Sequence, residues 1–120
     1  MKASELRIGN WVNQLGFDND TIISIDDMFE TVSTNSMMDR PIDDFNHIPL
    51  TEEWLIKFDF DNNFKQFDFE NNGLKVIKDV HSDSWICYIG FLNQFNEICI
   101  IKYVHQLQNL YFALTGEELN

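Results

Sequence analysis

Basic residues are scarce in this sequence. Eight lysines and arginines stand against twenty aspartates and glutamates, giving a formal net charge of -12 and an isoelectric point near 4.3. A surface with that balance repels nucleic acid and anionic membrane and attracts basic partners. Direct nucleic-acid binding and membrane binding are therefore not expected. Long apolar runs are missing as well, since nothing approaches the roughly 20 residues that span a bilayer. Met1-Lys2-Ala3-Ser4-Glu5 leads into Leu6-Arg7-Ile8-Gly9 without the apolar stretch of a secretory signal, which points to the cytoplasm. Cysteine is limited to Cys87 and Cys99. Two cysteines make neither a disulfide framework nor a zinc site, and in the cytoplasm they are expected to be reduced. No phosphate-binding glycine loop, dinucleotide fingerprint or Ser-His-Asp arrangement can be read, so no cofactor and no enzymatic activity are expected.

What the sequence does hold is material for a core. Of its 120 residues 44% are hydrophobic and 14% aromatic, with eleven phenylalanines. A chain of this length buries about two-thirds of its unfolded surface and can sustain a single core without staples. Residues 1–120 are read as one domain.

Periodicity predicts an α+β fold. Leu6, Ile8 and Val12 interleave with Arg7, Asn10 and Asn13 as in a half-buried strand over 6–14. Gly9 interrupts it, and Gly16 with Asp18-Asn19-Asp20 reads as a turn. Thr21-Ile22-Ile23-Ser24-Ile25 is a second strand, Asp26-Asp27 a turn, and Phe29-Glu30-Thr31-Val32-Ser33 a third strand, together a small barrel-like meander. Residues 34–49, with Pro41 and Pro49, read as an irregular surface connection. Thr51 caps a short helix with Glu52 and Glu53 in its first turn, and Leu50 and Leu55 have the spacing of a hydrophobic staple. Trp54, Leu55 and Phe58 share its apolar face. Asn72-Gly73 is a type I′ hairpin signal that sets Phe69 across from Val76. Ser84 to Phe91 is another strand, Leu92 to Asn96 a turn, and the apolar run Ile98-Cys99-Ile100-Ile101 suggests a central strand covered on both faces. Tyr103, Leu107, Leu110, Tyr111 and Leu114 recur at helical spacing over about 102–114, with Gly116 placed to end the helix. Gln106, Gln108 and Asn109 are expected to face solvent or a partner. The architecture expected is thus an N-terminal three-stranded meander, a short helix, an antiparallel meander and a C-terminal helix packed on the sheet. The apolar terminal helix could also pair two chains, and the sequence leaves the oligomeric state open.

Candidate chemistry is thin. Asp59, Asp61, Asn63 and Glu70 have calcium-loop spacing, but Phe64 stands where the loop needs glycine, Gln66 replaces an apolar residue, and a hairpin follows. A solvated acidic turn is the favoured reading. Cys87 and Cys99 sit in apolar strands of an acidic chain, a poor setting for a nucleophile partnered by His81 or His105. His47, His81 and His105 show no ligand spacing. Trp11 reads as core in preference to a nucleic-acid stacking platform, for which only Arg7 lies nearby.

Three segments carry a resemblance. Leu6-Arg7-Ile8-Gly9-Asn10-Trp11-Val12, Pro49-Leu50-Thr51-Glu52-Glu53-Trp54-Leu55 and the stretch from Lys102 to Leu119 resemble a family of uncharacterised small proteins encoded in phages and prophages of bacteria. The resemblance implies a setting, a mobile-element protein inside a bacterial cell, and transfers no catalytic residues. Small acidic proteins in that setting are often inhibitors of host defence nucleases. The expected function is accordingly non-enzymatic binding. The acidic surface would dock on a basic, nucleic-acid-handling host protein such as a CRISPR-type nuclease, through Asp26, Asp27, Glu30, Asp43, Asp44, Asp59 and Asp61, which cluster in turns. The alternative is a binder or sponge for a small, nucleotide-like molecule stacked on the aromatics.

Overall fold

The computed structural model describes residues 2–14, 19–62, 67–91 and 94–119. Two five-stranded antiparallel sheets and two α-helices make up the α+β fold that periodicity predicts. The first sheet contains β1 (Trp11–Gln14), β2 (Asn19–Asp26), β3 (Thr31–Thr34), β4 (Arg40–Pro41) and β5 (Phe45–Asn46) in the order β4-β3-β2-β1-β5. Helix α1 (Glu52–Lys57) leads to the second sheet of β6 (Asp61–Asn62), β7 (Asp68–Asn71), β8 (Leu74–Lys78), β9 (Trp85–Phe91) and β10 (Gln94–Ile101), ordered β10-β9-β8-β7-β6. Helix α2 (Val104–Thr115) closes the chain.

Local signals are realised closely. Asn72 and Gly73 both take positive φ, 51° and 84°, the pair a type I′ turn demands. The turn fixes the β7–β8 register, in which Phe69 faces Val76. A Cβ on Gly73 would lie 3.3 Å from the Gly90 carbonyl, so space and backbone both select glycine. At α1 the staple residues Leu50 and Leu55 are buried. Thr51 holds the extended N-cap conformation, although its hydroxyl makes no capping bond. Gly116 ends α2 with φ 76°, its N–H donating to the Phe112 carbonyl at 2.8 Å.

Several expectations are corrected. The strand over 6–14 begins only at Trp11: residues 3–5 form a 3-10 turn, and a second turn, closed by Asn10 N–H on the Arg7 carbonyl, throws Ile8 into solvent. Of the next turn, Gly16 and Asp18 lie outside the described residues, while Asn19 and Asp20 already belong to β2. The 34–49 connection is no mere surface link. It supplies β4 and β5, and Ile42, Phe45 and Ile48 are buried. Strand β10 is an edge and not the centre of its sheet. Leu92 and Asn93 lie outside the described residues, but the expected turn is shorter, because β10 already starts at Gln94. A bulge between Glu97 and Cys99 resets the alternation, so Cys99 and Ile101 pair with Cys87 and Trp85 while Ile98 and Ile100 are 40% and 60% exposed. An unbroken apolar run cannot distinguish these placements, because a bulge moves which residues face the core.

Two hydrophobic clusters result. The larger lies between the second sheet and both helices and contains Leu55, Phe58, Phe69, Val76, Trp85, Val104, Leu107 and Tyr111. The smaller contains Leu6, Val12, Ile22, Val32, Ile42 and Phe45 beneath the first sheet. Of the apolar stripe of α2, Leu107 and Tyr111 are buried in the larger cluster and Leu110 packs partly against it, while Leu114 is exposed.

A further correction concerns Gln108, which is completely buried and faces neither solvent nor a partner protein. Its Oε1 accepts from Trp11 N–H at 2.9 Å, and its Nε2 donates to the Gly9 and Leu119 carbonyls, each at 3.0 Å. Asn10, also buried, donates to Asn109 Oδ1 at 2.9 Å. Arg7 lies over the Phe112 ring at 4.0 Å and pairs with Glu118. One face of α2 thus satisfies the backbone that enters β1. Gln108→Ala leaves the part-buried Trp11 N–H and Gly9 carbonyl and the buried Leu119 carbonyl without their partner and is expected to cost about 3 kcal/mol. Urea unfolding should show a lower midpoint with an unchanged slope, and a loss below about 0.5 kcal/mol would contradict this reading.

Candidate functional site

The acids named from sequence separate into two places. Asp26 ends β2, and Asp27 to Glu30 make the turn into β3. Phe29 and Glu30, read as strand, belong to this turn. The Asp26 carboxylate accepts from the N–H groups of Met28 at 3.0 Å and Phe29 at 3.2 Å, a side-chain-stabilised turn. Glu30 takes φ 51°, and its carbonyl accepts from Ile42 N–H at 2.9 Å. That bond brings the 3-10 turn Ile42–Asp44 alongside, so Asp43 and Asp44 join the same end of the first sheet. Asp44 is paired to Arg40 at 3.4 Å. Asp27, Glu30 and Asp43 form no ion pair among the described residues.

Asp59 and Asp61 are not part of this group. Asp59 follows α1 with φ 64°, and Asp61 lies on β6 opposite Glu70. Asp61 and Glu70, the third and twelfth positions of the calcium-loop spacing that starts at Asp59, are therefore cross-strand neighbours in an antiparallel pair. Asn63, Phe64 and Gln66 of that motif lie outside the described residues.

Sequence pattern missed what sits inside the acidic group. Met28 and Phe29 are 84% and 72% exposed at the tip of the β2–β3 hairpin. Two large apolar side chains exposed in a turn bounded by Asp26, Asp27 and Glu30 have no use in the core. The signal was present in Asp26-Asp27-Met28-Phe29-Glu30, a turn sequence with two large apolar residues inside it.

The structure also assembles a cluster that spacing did not suggest. Glu5, His47 and His105 each offer a ligand atom, all within 4.8 Å of one another, the one group of this kind among the described residues. Its origin is a short antiparallel contact. Leu50 N–H bonds to the Lys102 carbonyl, Pro49 faces Tyr103, and Val104 N–H bonds to the Ile48 carbonyl. Continued by one step, this register sets His47 opposite His105, on one face as in any antiparallel pair. The two rings stack at 4.6 Å and 15°, with Tyr103 stacked 4.6 Å from His47. Burial pushes the His105 pKa down to about 4, reinforced by His47 and opposed by Glu5. Burial also lowers that of His47, again against Glu5. Both rings are neutral at pH 7.

Other expected chemistry finds little support in the geometry. Cys87 is buried beside Cys99, and burial together with that neighbour pushes its thiol pKa up, away from thiolate. Trp11 packs edge-on against Trp54 at 5.3 Å, with the Lys57 ammonium 3.8 Å from its ring centre. Its faces are thus engaged within the protein. No helix among the described residues is long and apolar enough to cross a membrane. No protein-family model, curated protein or solved structure matches this chain.

The Asp26 carboxylate should be what orders the tip. Asp26→Ala is expected to cost about 1 kcal/mol and to speed hydrogen exchange at Met28 and Phe29, whereas Asp26→Asn keeps an acceptor and retains most of the protection. Equal exchange in all three proteins would show that the turn holds without it.

Proposed function

We propose that this protein is a non-enzymatic binding module that docks on a basic protein through the β2–β3 tip, with Met28 and Phe29 as apolar anchors and Asp27, Glu30 and Asp43 as the charged rim. The observation that carries this reading is the exposure of Met28 and Phe29 in a turn bounded by Asp26, Asp27 and Glu30. Interfaces draw most of their affinity from a few aromatic or long apolar side chains that enter pockets, while surrounding charges set rate and specificity. Burying one such side chain contributes roughly 1.5–3 kcal/mol. The tip is prepared for this role, because Asp26 and the Glu30–Ile42 bond fix its backbone before any partner arrives. Pre-ordering lowers the entropy cost of association.

The net charge of -12 selects the partner class. A protein that handles nucleic acid presents a basic surface, and an acidic rim is the complementary shape of charge. The proposed outcome is inhibition or modulation of such a protein, a CRISPR-type defence nuclease being the example that fits the phage-like character of Leu6–Val12, Pro49–Leu55 and Lys102–Leu119.

The test is affinity capture from bacterial lysate at low and high salt, with wild-type protein and two tip variants as bait. Wild type should retain a basic nucleic-acid-binding protein at low salt and release it at high salt. Met28→Ala/Phe29→Ala should weaken the purified pair by about 30-fold or more, and Asp27→Lys/Glu30→Lys should slow association. All four residues are exposed, so stability should change by less than about 0.5 kcal/mol per substitution. Capture that is equal for wild type and both variants would refute the docking site.

A further inference from the structure

We propose that Glu5, His47 and His105 form a binding site for a borderline divalent cation, Zn2+ being the best match, with water completing its coordination. The site is distinct from the β2–β3 tip and does not depend on the docking proposal.

The donor set comes first. Two imidazole nitrogens and one carboxylate oxygen suit zinc and its first-row neighbours, while calcium and magnesium prefer all-oxygen shells. The three donors arrive from three separate parts of the chain: the 3-10 turn Ala3–Glu5, the segment after β5, and the first turn of α2. Their ligand atoms already lie within 4.8 Å of one another, with His47 Nε2 3.8 Å from Glu5 Oε2.

The second observation is an unmet need. The Nδ1 atoms of His47 and His105 are both buried, and neither has a hydrogen-bond partner. His105 itself is only 2% exposed. Buried polar atoms are nearly always satisfied, so an orphaned pair on stacked rings calls for an explanation. A cation supplies one where it takes the Nδ1 lone pair of the ring, leaving the proton on Nε2, and it replaces a ring–ring contact with metal–nitrogen bonds.

Binding requires a small adjustment. His105 is fixed by burial in α2, so His47, whose side chain is 25% exposed, turns out of the stack, and Glu5, at 44%, closes in. The backbone carrying Glu5 is tied to α2 through Asn109 Nδ2 on the Glu5 carbonyl at 3.0 Å. The three ligands therefore share one support. The strongly acidic surface raises the local cation concentration around them.

The test uses the metal alone on the full chain, freed of metal by chelation. Co2+ titration followed by visible absorption, and Zn2+ titration followed by calorimetry, should show one saturable ion per chain. Cobalt should give ligand-field bands without a thiolate charge-transfer band. His47→Gln and Glu5→Gln, both at positions with room for the change, should each weaken binding at least about 10-fold. Asp59→Asn/Asp61→Asn should bind as wild type does. Circular dichroism confirms that each variant is folded. Absence of saturable binding overturns the proposal. So does affinity unchanged in both His47→Gln and Glu5→Gln, which would mean adventitious binding to surface carboxylates. A charge-transfer band would place the ion on Cys87 or Cys99 instead.

Discussion

The buried amide of Gln108 is the constraint from which the arrangement of this protein follows. It sits on α2 with no exposed surface and makes three hydrogen bonds to backbone, two at the entry to β1 and one to Leu119 near the end of the described chain. A buried amide left unpaired costs more than the bonds it makes contribute, so its partners must be where they are or α2 must move. The first sheet needs such an anchor. Its own core of Leu6, Val12, Ile22, Val32, Ile42 and Phe45 is small, and small cores are marginal alone. Held to α2, the first sheet shares the stability of the larger cluster around Trp85 and Leu107.

Both sites depend on that join. The β2–β3 tip projects from a strand that pairs directly with β1, through Trp11 on Thr21. The Glu5 backbone is held by Asn109, next to Gln108. The segments Leu6–Val12, Pro49–Leu55 and Lys102–Leu119 also meet here. Gly9, Asn10 and Trp11 contact Gln108 and Asn109, while Trp11 packs on Trp54 of the middle segment. The residues that meet have architectural tasks in this chain, and the acidic tip lies outside all three segments.

What the sequence made legible was local. The Asn72-Gly73 turn, the Leu50–Leu55 staple and the Gly116 cap each depend on residues a few positions apart, and each is present as read. Long-range register was not legible. Whether Ile98 and Ile100 lie in a central or an edge strand depends on a bulge and on which strand lies alongside. Gln108 reads as polar surface until Trp11 and Gly9 are placed against it. His47 and His105 become neighbours only through the contact of Ile48 to Leu50 with Lys102 to Val104. The tip falls between these cases: Asp26-Asp27 reads as a turn, but Phe29 reads as strand, because β propensity does not reveal where a turn ends.

Native-state hydrogen exchange tests most directly whether the Gln108 amide joins the two sheets into one cooperative unit. Trp11 N–H, which donates to Gln108, and Ile22 N–H, which donates to Asn10 in the same ladder, should exchange with the same opening free energy as Val76 and Leu107 in the larger core. Trp11 and Ile22 exchanging through a separate opening, lower by about 2 kcal/mol or more, would mean that the first sheet unfolds on its own and that Gln108 does not hold it.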